Sequence, residues 1–254
     1  MSSEVQDTIK SKEMPQKIGP PVSCAPGPRP SRITLTATTV ILEPLMPSHA
    51  TELYDIVKGD NNHRLWTYLF DNPYESLAAF QEAVTAKSQS EDPMFFAVVD
   101  QKTAKPVGWI SLMRIDTRHC VVEAGNILFS PLLQRTKAAT EAMYVLAKYV
   151  FETLHYRRYE WKCDNLNTPS KRAAIRFGFT FEGIFRKHMV YKGRSRDTCW
   201  FSMTDDDWFE GGVKRGFEEW LDEGNFGEDG TQRRRLEDVR RELKGQKGPV
   251  VLEL

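Results

Sequence analysis

Apolar residues recur at three- and four-residue spacing early in the chain and at strand-like spacing through its middle. Leu53, Ile56 and Val57 predict a short helix capped by Ser48 and running to Lys58. Leu77, Phe80 and Val84 fall on one side of a second helix, Glu75 to Lys87. A strand around Val40 to Glu43 precedes both, and the aperiodic stretch Asn61 to Phe70 separates them. From Met94 the period changes. Met94 to Val99 and Val107 to Ile115, parted by the turn-like Asp100-Gln101-Lys102-Thr103, read as antiparallel strands, and Val121 to Phe129 continues the meander. Ala139, Ala142, Met143, Leu146, Tyr149 and Val150 then restore helical spacing. A strand from Tyr159 to Cys163 follows, then a helix from Pro169 to Phe177, with Thr168 as its expected cap. Two strands, Phe181 to Tyr191 and Thr198 to Met203, turn at Lys192-Gly193. This order predicts an α/β domain whose mixed, mostly antiparallel sheet has about six to seven strands flanked by about four helices.

The ends differ in character. Residues 1–32 hold Pro15, Pro20, Pro21, Pro26, Pro28 and Pro30 among polar neighbours, which predicts a disordered leader. Residues 33–208 form the expected domain, and residues 209–254 a charged helical extension built on Phe217, Trp220, Leu221 and the stretch Arg233 to Leu243. Lys plus Arg and Asp plus Glu are equal at 35 each, so net charge argues for no particular partner. The distribution is uneven: His155 to Arg196 carries eleven cations against three anions, which suits a phosphate-bearing ligand. The arginines of the extension alternate with Glu237, Asp238 and Glu242, which argues against a nucleic-acid interface. Cys24, Cys120, Cys163 and Cys199 show no paired spacing, so no metal site or disulfide framework is expected. No apolar run is long enough for a bilayer and no signal-peptide core is visible, so a cytoplasmic location without membrane contact is expected.

Two stretches carry chemistry. The helix at Ala139 is entered through Gln134-Arg135-Thr136-Lys137-Ala138-Ala139, with cations where the helix dipole disfavours them. Outward-pointing amides at a helix start can cradle a diphosphate, and the cations fit such an anion. The second stretch is Trp161 to Phe179, in which Ser170 falls in the first turn of a helix that Gly178 is placed to end.

These stretches, in this order of elements, resemble the GCN5-related N-acetyltransferases, particularly the branch of ribosomal-protein N-terminal acetyltransferases, over roughly Val40 to Trp208. Gln134, Lys137 and Ala139, followed by Thr140-Glu141-Ala142, match the family's acyl-CoA turn Gln/Arg-x-x-Gly-x-Gly/Ala with its Thr-Glu-Ala sequel. Lys137 departs from the pattern, standing where the family has glycine. Asn167, Ser170, Ala174, Gly178 and Phe179 match a second family segment, Asn-x-x-Ser-x-x-x-Ala…Gly-Phe. Lys192 to Asp197 resembles a hairpin of this branch, read as a structural brace with Arg196 and Asp197, with a cationic rim for substrate as the second reading.

The resemblance implies an N-acetyltransferase that moves an acetyl group from acetyl-CoA to a primary amine by direct attack, with no metal. Phe129, Gln134, Arg135, Thr136, Lys137, Ala138, Ala139, Thr140, Asn167, Ser170 and Arg172 would then hold the donor. Ser170 would also serve the leaving sulfur, and a backbone N–H near Ile127 to Phe129 would stabilise the oxyanion. Glu123 is a candidate base acting through water, or half of an ion pair with Arg114, and His188 is the alternative base. Trp66, Tyr68 and Phe70 form either an aromatic wall for the acceptor or part of the core. A coenzyme-A-binding scaffold without turnover is the rival reading, and Trp200 to Trp208 with the terminal helices offer surface for a homodimer.

Overall fold

A computed structural model of the chain describes residues 16–22 and 25–245. Its centre is a sheet of eight strands: β1 (Leu35–Thr36), β2 (Val40–Pro44), β3 (Met94–Asp100), β4 (Lys105–Asp116), β5 (Val121–Phe129), β6 (Arg158–Asp164), β7 (Thr180–Tyr191) and β8 (Arg194–Thr204). They lie in the order β1-β2-β3-β4-β5-β6-β8-β7. The two-residue β1 is the strand that the hydrophobic pattern did not announce. Every neighbouring pair is antiparallel except β5 and β6. Helix α1 (Ala50–Val57) and α2 (Leu77–Gln89) cover one face of β3 and β4; α3 (Lys137–Lys148), α4 (Thr168–Arg176), α5 (Asp205–Phe209), α6 (Val213–Leu221) and α7 (Leu236–Leu243) lie towards the other.

Strand alternation sorts the side chains. Val122 and Ala124 of β5 and Trp161 and Cys163 of β6 point into the core beneath α3, so Glu123 and Lys162 point to the opposite face. There α1 and α2 reach only the β3–β4 half, where Trp66, Phe80 and Trp109 interlock. Across the uncovered half, Arg114, Glu123, Lys162, Glu160, Arg158 and Glu182 make a chain of alternating charge across the strands.

Local sequence explains most boundaries and corrects some. Ser48 does not cap α1; a single turn at Pro47–His49 leads into it. The cap of α4 is Asn167 and not Thr168, because its side chain accepts from the Ser170 amide at 3.1 Å. Thr136 caps α3 by accepting from the Ala139 amide at 3.1 Å. The Glu141 carboxylate holds the β1–β2 turn through the amides of Thr38 and Thr39 at 3.0 and 2.6 Å, which gives the Thr-Glu-Ala sequence a structural duty.

The part of the expected leader nearest the domain is a strap and not a loose tail. The Gly27 amide bonds to the Thr117 carbonyl, the Ser31 amide to the Tyr149 hydroxyl, and the Tyr156 hydroxyl to the Pro28 carbonyl. A Cβ at Gly27 would lie 2.7 Å from the Tyr156 ring, so the strap passes where only glycine fits. Residues 1–15, Ser23, Cys24 and 246–254 fall outside the described residues. Among the described residues no helix is long and apolar enough to cross a membrane.

Candidate active site

The parallel pair opens the sheet. β5 and β6 pair only from Val121 with Arg158 to Ala124 with Trp161, and beyond that they part. A bulge in β5 marks the divergence. Ser111 pairs with Gly125 and Trp109 with Leu128, so Asn126 and Ile127 oppose Ile110 alone, and Asn126 takes a φ of 49°. Gly125 fits because a Cβ there would lie 2.2 Å from the Met113 sulfur. The parted strands border a cleft of about 1200 Å³ that runs from the start of α3, past Ser170, to Tyr68, Phe70 and Glu123.

At one end stands the turn before α3. Arg135 adopts a left-handed φ of 64°, and the amides of Arg135, Lys137 and Ala138 have no partner among the described hydrogen bonds. An amide cluster of this kind at a helix N-terminus is an anion cradle. The structure also accounts for Lys137. Its backbone is helical, so the position needs no glycine for conformation, and its ammonium lies 4.4 Å from the centre of the Phe226 ring. Some side chains of the motif are engaged elsewhere: Gln134 Nε2 donates to the Phe129 carbonyl at 2.8 Å and Thr136 Oγ1 to the Leu133 carbonyl at 2.7 Å. Arg135, Ala139 and Thr140 line the cleft, as does the exposed Arg172.

Ser170 sits at the first turn of α4, where the strands part. Trp161 Nε1–H donates to its oxygen at 3.0 Å, which leaves the hydroxyl hydrogen free to point elsewhere, and the hydroxyl reaches the Cys163 thiol. Burial pushes that thiol up to about 12. A thiol so placed stays neutral and non-nucleophilic near pH 7. Iodoacetamide at about pH 8 is therefore expected to leave Cys163 unmodified in the native protein and to alkylate it after unfolding, as read by peptide mass mapping. Native alkylation at the rate of a free thiol would contradict this.

At the other end, Glu123 accepts Arg114 Nη1 at 2.5 Å and Lys162 Nζ at 2.8 Å, both on Oε2. Its Oε1 has no protein partner among the described hydrogen bonds. The Lys162 side chain is 5% exposed and also bonds Glu160 at 2.6 Å, with its ammonium 3.9 Å from the Trp200 ring centre. Tyr68 and Phe70 border the cleft, and the Tyr68 hydroxyl donates to the Leu166 carbonyl at 3.0 Å. Trp66 is core: it is 2% exposed and packs edge-on against Trp109. His188 is away from the cleft, exposed on β7 with Nδ1 3.0 Å from the Thr198 hydroxyl.

Sequence reasoning missed several groups. Asp164 is buried at the cleft with the Tyr191 hydroxyl on Oδ2 at 3.0 Å. Arg196, read first as a brace and second as a cationic rim, is a cleft residue that lies 5.8 Å from the Phe70 ring centre and 5.6 Å from that of Tyr191. Asp197 does brace, accepting from the Lys187 amide at 2.7 Å. Lys192 clamps the loop beside the cleft through the carbonyls of Trp66 and Asp71, each at 2.7 Å. An alternating pattern marks Lys162 and Asp164 as a face of β6, but only the fold reveals what lies opposite.

A family model for the acetyltransferase (GNAT) domain matches residues 39–180, more than half of the chain. The chain belongs to the GCN5-related N-acetyltransferase family. This acetyltransferase is 45% identical to a GCN5-related N-acetyltransferase from Brucella melitensis of known crystal structure, over 85% of this chain and 97% of that one, with a TM-score of 0.82. It is 30% identical over 108 residues to the uncharacterized N-acetyltransferase p20 of Bacillus licheniformis, a match that spans 42% of this chain and 60% of that relative. The fold alone is shared with a Salmonella typhimurium acetyltransferase that modifies the N-terminal serine of ribosomal protein L7/L12: 20% identity, 68% of this chain, 99% of that one, TM-score 0.59. Enzymes of this family use acetyl-CoA as co-substrate.

Proposed function

We propose that this acetyltransferase transfers the acetyl group of acetyl-CoA directly to a primary amine, with both substrates in the cleft at once. The carrying observation is that unpartnered amides before α3 and the Ser170 hydroxyl border one cleft that reaches the opposite face of the sheet. The diphosphate would rest on Arg135, Lys137 and Ala138, and the pantetheine arm would enter between β5 and β6. Asn167 keeps its side-chain NH₂ available for that arm, because only its oxygen is engaged in capping. Amide hydrogens of the β5 bulge, near Ile127, would meet the developing oxyanion.

On the far face the amine would lie among Tyr68, Phe70 and the carboxylates of Glu123 and Asp164, which suit a cationic head on an apolar stem. A lysine-like amine at ~10.4 needs on the order of 4–5 kcal/mol to deprotonate at neutral pH, and an α-amine near ~8 about 1 kcal/mol. Glu123 Oε1, which has no protein partner among the described hydrogen bonds, would take that proton through water. Ser170 would hydrogen-bond the departing thiolate and relay to it a proton taken up from water, ending as the neutral hydroxyl. The neutral Cys163 thiol supports direct transfer, since it cannot intercept the acetyl group.

The test is a free-thiol release screen with acetyl-CoA and grouped amines (amino acids, polyamines, peptides with free N-termini), with mass spectrometry of the product. At least one group is expected to accelerate release well above hydrolysis and to gain an acetyl group. Tight coenzyme A binding with no acceleration by any amine would favour a non-catalytic scaffold instead.

A further inference from the structure

The cleft does not end at the domain boundary. Its wall beside α3 and α4 is completed by Trp220, Phe226 and residues 230–232 of the C-terminal extension. That extension is a built element. Trp220 Nε1 donates to Gln232 Oε1 at 3.0 Å, and Phe226 bridges Gln232 as a short antiparallel contact. The buried Asn225 staples both ends of the loop, donating to the Trp220 carbonyl at 2.9 Å and accepting from the Arg234 amide at 3.0 Å. α6 and α7 cross closely at Gly216, where a Cβ would lie 2.3 Å from Arg240 Cγ.

Charge is arranged around this loop. Lys137 reaches out of the cradle to the Phe226 ring. Arg176, at the end of α4, donates to Thr140 Oγ1 at 2.9 Å and lies 5.0 Å from the Trp220 ring centre. Arg176 takes part in no ion pair among the described residues, although Glu237 of α7 faces it across the cleft wall. Burial lowers its proton affinity, so an anion beside it would relieve a desolvated charge. With Arg135 and Arg172, four cations face one carboxylate at this end.

We propose that the loop Asn225–Gln232, together with Arg176, forms a subsite for the phosphorylated nucleotide end of the acyl-CoA donor. The inference rests on the acyl-transfer reading above and extends it to residues beyond the matched domain. The loop supplies the apolar wall at Phe226, Arg176 meets a phosphate from the α4 side, and Asn225 is a positioning residue that holds the loop in place.

Calorimetry with two ligands separates the possibilities: coenzyme A, and 4′-phosphopantetheine, which has the thiol arm and no nucleotide. Arg176→Met and Asn225→Ala are each expected to weaken coenzyme A about tenfold while 4′-phosphopantetheine changes less than about twofold. Phe226→Leu keeps the loop's packing and should follow the same pattern more weakly, and thermal melts of all three establish that the domain is folded. Unchanged coenzyme A affinity in every variant would overturn the subsite and leave acyl transfer standing. Equal weakening of both ligands would also overturn it, because the effect would then lie at the shared arm. A wild-type protein that binds neither ligand would remove the acyl-transfer reading itself.

Discussion

Ser170→Ala is expected to lower kcat for acetyl transfer about a hundredfold, with acetyl-CoA affinity within about twofold of wild type. The geometry makes this a clean test. α4 is capped by the Asn167 oxygen on the Ser170 backbone amide, so the cap survives loss of the hydroxyl. What disappears is the acceptor of Trp161 Nε1–H and the donor aimed towards Cys163. Trp161 is 6% exposed, so its stranded N–H costs about 1–3 kcal/mol of stability, an effect separable from turnover by a melt. Rapid-quench measurement of the acetyl step, at saturating donor, reads the proposed proton delivery directly. Wild-type turnover in a folded Ser170→Ala protein would remove the role.

The second large effect is on stability. Lys162→Met keeps the length of the side chain and its contact with Trp200, but deletes the cation between Glu123 and Glu160. Both carboxylates are mostly buried, with side-chain exposures of 4% and 12%, so their charges are poorly screened once the ammonium is gone. Breaking such a link is expected to cost about 3–5 kcal/mol, lowering Tm by roughly 6–20 °C for a chain of this size. Arg114 still holds Glu123 Oε2 and Arg158 still holds Glu160 Oε1, which favours the lower part of that range. Adding Glu123→Gln should recover part of the loss, and the double-mutant cycle measures the coupling. A Tm within 2 °C or so of wild type would mean the charged stripe is solvated and weak.

How much of this was legible beforehand divides along physical lines. Local periodicity announced seven strands and the flanking helices because most of them bury an apolar stripe of their own, the exception being the edge strand β7. It could not announce β1, whose two residues are held by pairing with β2 across a turn that Glu141, a side chain over a hundred positions away, fixes. The amide cradle was readable because a helix start is a local feature, although Lys137 seemed an obstacle until its φ and its aromatic partner were known. Ser170 was readable from its place after Asn167, but the wrong neighbour was chosen as cap, since Thr and Asn are both good candidates. Trp66 and Tyr68 lie two residues apart and go to core and cleft, a choice made by how the loop packs. His188 looked poised by chemistry alone; its strand turns it to solvent. Asp164, Arg176 and Arg196 have significance only through partners brought in by the sheet and the extension.

The lysine in the donor turn has a wider meaning. Since its main chain follows the ordinary right-handed helix, the missing glycine reflects freedom to carry a tether there, and the tether ends on an aromatic ring 89 positions downstream. Lys137 with Phe226 thereby joins Arg176 with Trp220 in coupling domain and tail at the cleft, and shortening the protein at the edge of its matched domain would strip away a wall of its own binding cleft. Enzymes with a long cation at this place should be sought together with an aromatic group past the matched domain, and a signature that insists on glycine would pass them by.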